Sequence, residues 1–71
     1  MDSLRERFGS RIRSIRRARN LTQEEFAEFV GISVDFLSLI ERGINAPSFE
    51  TIDKMAERLR LSVAALFTFD E

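Results

Sequence analysis

The sequence contains no cysteine and no histidine. Disulfides, thiolate zinc sites, imidazole metal sites and histidine general bases are therefore all excluded. Its three glycines are too few and too scattered for a phosphate-cradling loop, and no nucleophile–base pair or metal-binding cluster falls at a usable spacing. Long apolar runs are also missing. The longest charge-free stretch of the second half, LSVAALFTF from Leu61 to Phe69, is far too short to span a bilayer. The opening MDSLRERFGS lacks the apolar run of a signal peptide. These absences predict a cytoplasmic protein with no catalytic residue, no metal ligand, no cofactor, no small-molecule ligand and no membrane partner. Its 71 residues predict one small domain over 1–71. A domain of that size buries only about 60% of its unfolded surface, so help from a partner chain is expected.

Charge of either sign is nearly balanced overall, at −1, but it is unevenly placed. Residues 1–20 carry seven arginines against Asp2 and Glu6, a local balance of +5, whereas residues 21–71 carry a balance of −6. Local field governs attraction to a polyanion, so the basic end allows phosphate contact despite the net charge. On charge alone, a solvated arginine face accounts for it equally well, and Arg5, Arg7, Arg11, Arg13, Arg17 and Arg19 are individually read that way.

What the chain does have is helix punctuation. Leu4, Phe8, Ile12 and Ile15 form one stripe of a helix opened by a Ser3/Glu6 capping box. Thr22 and Glu25 repeat the box before a two-turn helix with Phe26, Ala27 and Val30 inward, and Gly31 is placed to end it in the left-handed conformation. Ser33 caps a third helix, with Asp35 near its positive end and Gly43 closing it. After the turn INAPS, Ser48 caps a fourth helix with Phe49, Ile52, Met55, Ala56 and Leu59 on one side, and Ser62 caps a short fifth, VAALF at 63–67. No alternating strand pattern occurs. The expectation is an all-α fold of five short helices around one core.

Residues 23–42 read as a helix-turn-helix: a two-turn helix, a glycine-containing connection and a second helix. Ala27 is small where the two helices approach, Gly31 supplies the positive φ, and Phe26, Val30, Ile32, Leu37 and Ile40 supply the shared packing. On a helical wheel Phe36, Leu37 and Ile40 gather on a core arc, opposite Asp35, Ser38, Leu39 and Arg42. Leu39 is conspicuous there, because packing within the domain does not explain an outward apolar residue.

The stretch LTQEEFAEFVGISVDFLSLIERGINAPSFETIDKMAERLRLSVAALF, with Gln23, Ala27, Gly31, Leu37, Ile40, Glu41 and Gly43 at their spacing, resembles the phage repressor and Cro-type helix-turn-helix transcriptional regulators. The similarity runs from about Phe8 to Phe67, and within the family there is a weaker likeness to restriction-modification controller proteins. The resemblance implies a lambda-repressor-like domain that binds a two-fold symmetric operator in double-stranded DNA, with the third helix in the major groove. Gln23 would touch a phosphate; Ser33, Val34, Asp35 and Phe36 would lie at the start of the reading helix, with Ser38, Leu39 and Arg42 further along. Backbone amides of the turn from Gly43 to Ala46 would hold another phosphate, and Asn45 in that turn joins the DNA-binding set. The resemblance also implies a structural salt bridge between Arg16 and Glu41, and a homodimer contact at the C-terminal helix, where Leu66, Phe67 and Phe69 are more apolar groups than a small core needs. The competing reading is a protein-interaction module, such as an antitoxin or adaptor, built on the same bundle; an enzyme is the remaining class, for which no residues are found.

Overall fold

A computed structural model of the chain describes residues 2–69. It contains α1 (Leu4–Ala18), α2 (Gln23–Val30), α3 (Val34–Glu41), α4 (Phe49–Leu59) and α5 (Val63–Leu66), with no strand among the described residues. No helix among them is long and apolar enough to cross a membrane.

Every helix starts on a hydroxyl. Ser3, Thr22, Ser33, Ser48 and Ser62 each accept a hydrogen bond from the backbone N–H three residues on. The first two are full capping boxes, in which Glu6 accepts from the Ser3 N–H and Glu25 from the Thr22 N–H, both at 2.9 Å. Those backbone bonds, followed by the hydroxyl bonds of the same residues, hold both carboxyls below the usual carboxylate range. Because the folded value lies below the unfolded one, the stabilisation is complete at neutral pH. It is lost as the pH falls from the ordinary glutamate value of about 4.3 through the lowered one. Circular dichroism is expected to show the starts of α1 and α2 fraying over that acid range, and the double variant Glu6→Gln, Glu25→Gln is expected to show less of this pH dependence, since glutamine keeps the bond without the titration.

Three of the junctions are built alike. Asn20, Gly31 and Arg60 all take the left-handed backbone, at φ 58°, 82° and 57°. The next residue, Leu21, Ile32 or Leu61, returns its N–H to Arg16, Ala27 or Ala56 at 3.2, 2.9 and 3.0 Å and packs its side chain against the core. The residue after that, Thr22, Ser33 or Ser62, is the N-cap of the next helix. This is the hydrogen-bonded ending with an apolar latch that stops helices in general. Only at Gly31 is the conformation free of a Cβ penalty; an arginine there costs roughly 1 kcal/mol.

α1 packs on α3 and also touches α5, while α2 contacts α3 and α4. Phe8, Ile12, Phe26, Leu37, Ile40 and Leu66 are among the residues that close the core. The predicted inward stripes fail at one kind of position. Leu4 and Phe49, both expected inside, are 54% and 88% exposed. Each is the first residue of its helix, and helical side chains lean toward the N-terminus, so these two project past the end of the helix rather than onto its neighbours. Val34 and Val63, which open α3 and α5, are exposed in the same way.

The arginines of α1 correct the reading of a solvated face. Arg5 donates to the Ile44 carbonyl just beyond α3 at 3.3 Å, Arg11 to Ala65 in α5 at 3.0 Å, and Arg19 to Leu59 at the end of α4 at 2.7 Å. Lys54 and Arg58 of α4 likewise reach Gly31 and Phe29 at the end of α2, at 3.0 and 3.2 Å. Cations at helix C-termini complement the helix dipole by about 0.3–1 kcal/mol each. Much of the N-terminal positive charge is therefore used to tie helix ends together.

Leu66, expected at a dimer contact, is completely buried in the protein's own core. Phe67 and Phe69 are only half-buried, yet they too have internal partners. The Phe67 ring stacks against Phe8 with centroids 4.9 Å apart, Phe69 meets Phe67 edge-on at 6.2 Å, and the Arg7 guanidinium lies 5.3 Å over the Phe69 ring. The C-terminal end has less apolar surface to spare than its composition suggests, because a small bundle needs an end plug.

Candidate nucleic-acid interface

α2 and α3 meet across Gly31 and Ile32 as the spacing predicts, with Ala27 buried at their approach. The turn disfavours a larger residue chiefly through its backbone, at φ 82°. A Cβ at Gly31 would lie 3.2 Å from the Lys54 ammonium nitrogen, on a backbone that side chains rarely adopt.

α3 is held from behind by a charged network. Glu41 is 7% exposed and accepts from Arg16 Nε at 2.8 Å and Arg16 Nη2 at 3.0 Å, a bidentate fork between α3 and α1. Arg16 Nη1 also donates to the Leu21 carbonyl at 3.0 Å. The hydrogen bonds to Glu41 raise the Arg16 pKa above its ordinary value and keep its charge fixed. The salt bridge expected from the resemblance is therefore present. Gln23 joins it: its side-chain amide donates to Glu41 Oε1 at 3.1 Å. The residue assigned to a phosphate is thus anchored at the same carboxylate, and its amide makes no second hydrogen bond among the described residues.

The opposite face of α3 carries the residues named from the sequence. Val34, Asp35 and Arg42 are exposed. Ser33 is exposed as well, but its hydroxyl is engaged by the Phe36 N–H at 3.1 Å. Phe36 is half-buried and packs on the core, as its place on the wheel predicts, rather than standing outward with Asp35. Ser38 and Leu39 are partly buried. Leu39 is therefore less prominent than its wheel position implies, and the chain after α3 folds back there: the Ile44 and Asn45 N–H groups both donate to the Leu39 carbonyl, at 3.0 and 3.3 Å.

That fold-back also corrects the expected phosphate grip. The Gly43 N–H donates to Ile40 at 2.9 Å, so three of the four amides from Gly43 to Ala46 are bonded within the protein. Ala46 is the exception among the described residues. Asn45 is exposed and keeps its side chain beside this turn. The register of α3 thus puts Asp35, Ser38, Leu39 and Arg42 on the side away from the core, with Val34 at its start, Asn45 exposed in the turn beyond it and Gln23 held at the start of α2.

Sequence reasoning missed Gly9. It is buried in α1 where the helix crosses α3, and a Cβ there would overlap the Ile40 carbonyl oxygen and approach that of Glu41 to 3.0 Å. A signal was present, since Gly9 precedes Arg16 by two turns and so shares its side of α1.

The chain matches the helix-turn-helix family over residues 12–66. It belongs to that family of transcriptional regulators. As a member it is a DNA-binding regulator rather than an enzyme. It is 44% identical over 61 residues to the uncharacterised HTH-type transcriptional regulator YazB of Bacillus subtilis, covering 86% of this chain and 88% of that protein. It is 34% identical over 64 residues to the cryptic phage CTXphi transcriptional repressor RstR of Vibrio cholerae, covering 90% of this chain but 58% of the repressor. Among solved structures, the restriction-modification controller protein C.AhdI of Aeromonas hydrophila is similar with a TM-score of 0.80 and 32% identity, covering 87% of this chain and 90% of that one. The regulator fold and both family likenesses read from the sequence are therefore established for this chain.

Proposed function

We propose that this helix-turn-helix regulator represses transcription by binding a two-fold symmetric operator as a homodimer, one α3 in the major groove of each half-site. The observation that carries the reading is the two-sided character of α3: Glu41 is locked from behind by Arg16, while Val34, Asp35 and Arg42 face out. A rigidly backed helix holds base-reading groups in register. Asp35 suits a cytosine amino group and repels phosphate, Val34 and Leu39 suit thymine methyls, and Ser38 suits either kind of edge. Gln23, Arg42 and Asn45 flank the groove as contacts to the DNA backbone. Ser33 serves chiefly as the cap of the reading helix, and Phe36 as its anchor. The similarity to a phage repressor supports repression.

Selecting bound sites from random duplexes tests this. A palindromic consensus with half-sites centred about 34 Å apart is expected. A single, non-repeated site, or no enrichment, sinks the proposal.

The dimer surface is better assigned to the open groove lined by Phe49, Ile52, Val63 and Phe67, with Glu50 and Asp53 also in its wall, than to buried Leu66. Phe49, 88% exposed, gives that groove an apolar edge that a second copy can cover about a two-fold axis. Phe49→Asp is expected to shift sedimentation equilibrium to the monomer and to cost much of the operator affinity. Its melting point in dilute solution should hardly move, since the side chain is 88% exposed. A dimer that survives this change has its contact elsewhere.

A further inference from the structure

We infer that Arg13, on the outer side of α1, holds a DNA backbone phosphate together with the side-chain amide of Gln23. The inference rests on the operator reading and adds to it a contact that α1 makes.

Elimination leads to α1's outer edge. Of the seven arginines before residue 20, Arg5, Arg11, Arg16 and Arg19 donate to protein oxygens, and Arg7 lies over the Phe69 ring. Arg13 and Arg17 remain. Only Arg13 is drawn toward the reading unit. Its Nε lies 3.9 Å from Glu41 Oε1, and its side chain is 50% exposed.

That distance is too long for a hydrogen bond, and the reason is occupancy. Glu41 Oε1 already accepts from Arg16 Nη2 at 3.0 Å and from Gln23 Nε2 at 3.1 Å, which fills both of its lone pairs. Arg13 is therefore attracted to an oxygen that has nothing left to offer it. Two guanidiniums against one carboxylate leave a positive excess, and the guanidinium at the solvent edge keeps its donors available. Arg16 cannot serve, being only 12% exposed and forked onto the carboxylate.

Gln23 needs such a neighbour. It is followed by Glu24 and Glu25, both exposed. Glu25 is turned back onto the Thr22 N–H at 2.9 Å, but both carboxylates still oppose an anion at the start of α2. A neutral amide alone is a weak anchor for phosphate in that field. Arg13 supplies the missing cation. Because Arg13 Nε and the Gln23 amide approach the same carboxylate oxygen, at 3.9 and 3.1 Å, the two side chains are neighbours, and their remaining N–H groups can converge on one phosphate. Glu41 thus orients both the structural arginine and the ligand-facing pair.

The test is an anisotropy titration of the selected operator duplex across a salt series, using the wild-type chain, Arg13→Gln and Arg17→Gln. Arg17 is the internal control, with the same charge on the same helix one turn further on. Arg13→Gln is expected to weaken binding by a similar factor for every operator variant and to lower the slope of log K against log salt by about 0.9 per protomer. Arg17→Gln is expected to change the slope less. Gln23→Ala should cost less affinity in the Arg13→Gln background than alone, because both side chains serve one phosphate. An unchanged slope for Arg13→Gln overturns the inference, and so does an equal drop for Arg17→Gln, which would make the effect a general field. Failure of the wild-type chain to bind any selected duplex overturns the operator reading itself. A thermal melt of Arg13→Gln matching wild type confirms that lost binding is not lost folding.

Discussion

Glu41→Ala is expected to remove about 3–5 kcal/mol of stability, because it strands a guanidinium that is already out of water. The Arg16 side chain is 12% exposed and makes two of its hydrogen bonds to this one carboxylate, whose own side chain is 1% exposed. Gln23 loses its acceptor at the same time. For a domain of this size such a loss is a large part of the total, since native stability runs at roughly 0.05–0.15 kcal/mol per residue. The melting temperature should fall by well over 10 °C, at about 4–8 °C per kcal/mol. Urea denaturation followed by circular dichroism measures it directly. Replacing both partners, as Arg16→Met with Glu41→Leu, is expected to recover much of the loss, since the penalty belongs to the unpaired charge rather than to the absence of the pair. A single variant that melts within a few degrees of wild type would show that solvent reaches Arg16.

Gly9→Ala should destabilise the protein, against the ordinary sign of that substitution. In a helix interior alanine is favoured over glycine by about 0.8–1.0 kcal/mol. At Gly9 the added methyl meets the carbonyl oxygens of Ile40 and Glu41, which are backbone atoms of α3 and cannot rotate away. Relief requires α1 and α3 to separate, and overpacking of this kind costs about 1–3 kcal/mol or more. The separation would also stretch the Arg16–Glu41 fork, which bridges the same two helices. Ser10→Ala is the control: that residue is on the same helix but exposed, and the change should be neutral or mildly stabilising. The prediction fails if the Gly9→Ala chain is the more stable of the two.

The features visible in the sequence were those that act over short range. Ser3 with Glu6 and Thr22 with Glu25 are local chemistry, and the structure contains both boxes. The helix-turn-helix was visible because Ala27, Gly31 and the apolar residues around them have to sit at fixed spacing. What the pattern missed depends on where helices end or cross. Leu4 and Phe49 fall on the correct side of a wheel, yet a wheel does not record that a first-turn side chain has no neighbour behind it. The arginines of α1 looked solvated because their partners are carbonyls up to 54 residues away, as Ala65 is from Arg11. The amides of Gly43, Ile44 and Asn45 looked available because turns usually leave donors open, whereas here the chain doubles back onto the end of α3. Leu66 and Phe67 look like spare apolar surface because nothing local shows that Leu66 is needed in the core and that Phe67 lies against Phe8 of α1.

The arginines that fasten helix ends also decide how this protein finds its target. Sliding along DNA depends on loose, sequence-independent attraction to many phosphates. Cations tied to internal carbonyls keep their charge but are not free to close on one phosphate after another, and the chain as a whole is slightly acidic. The search is therefore expected to run through solution, by repeated collision, rather than by long scans from flanking DNA. Lengthening the duplex on either side of the operator should leave the association rate per site nearly unchanged, and occupancy should follow the number of protein molecules closely.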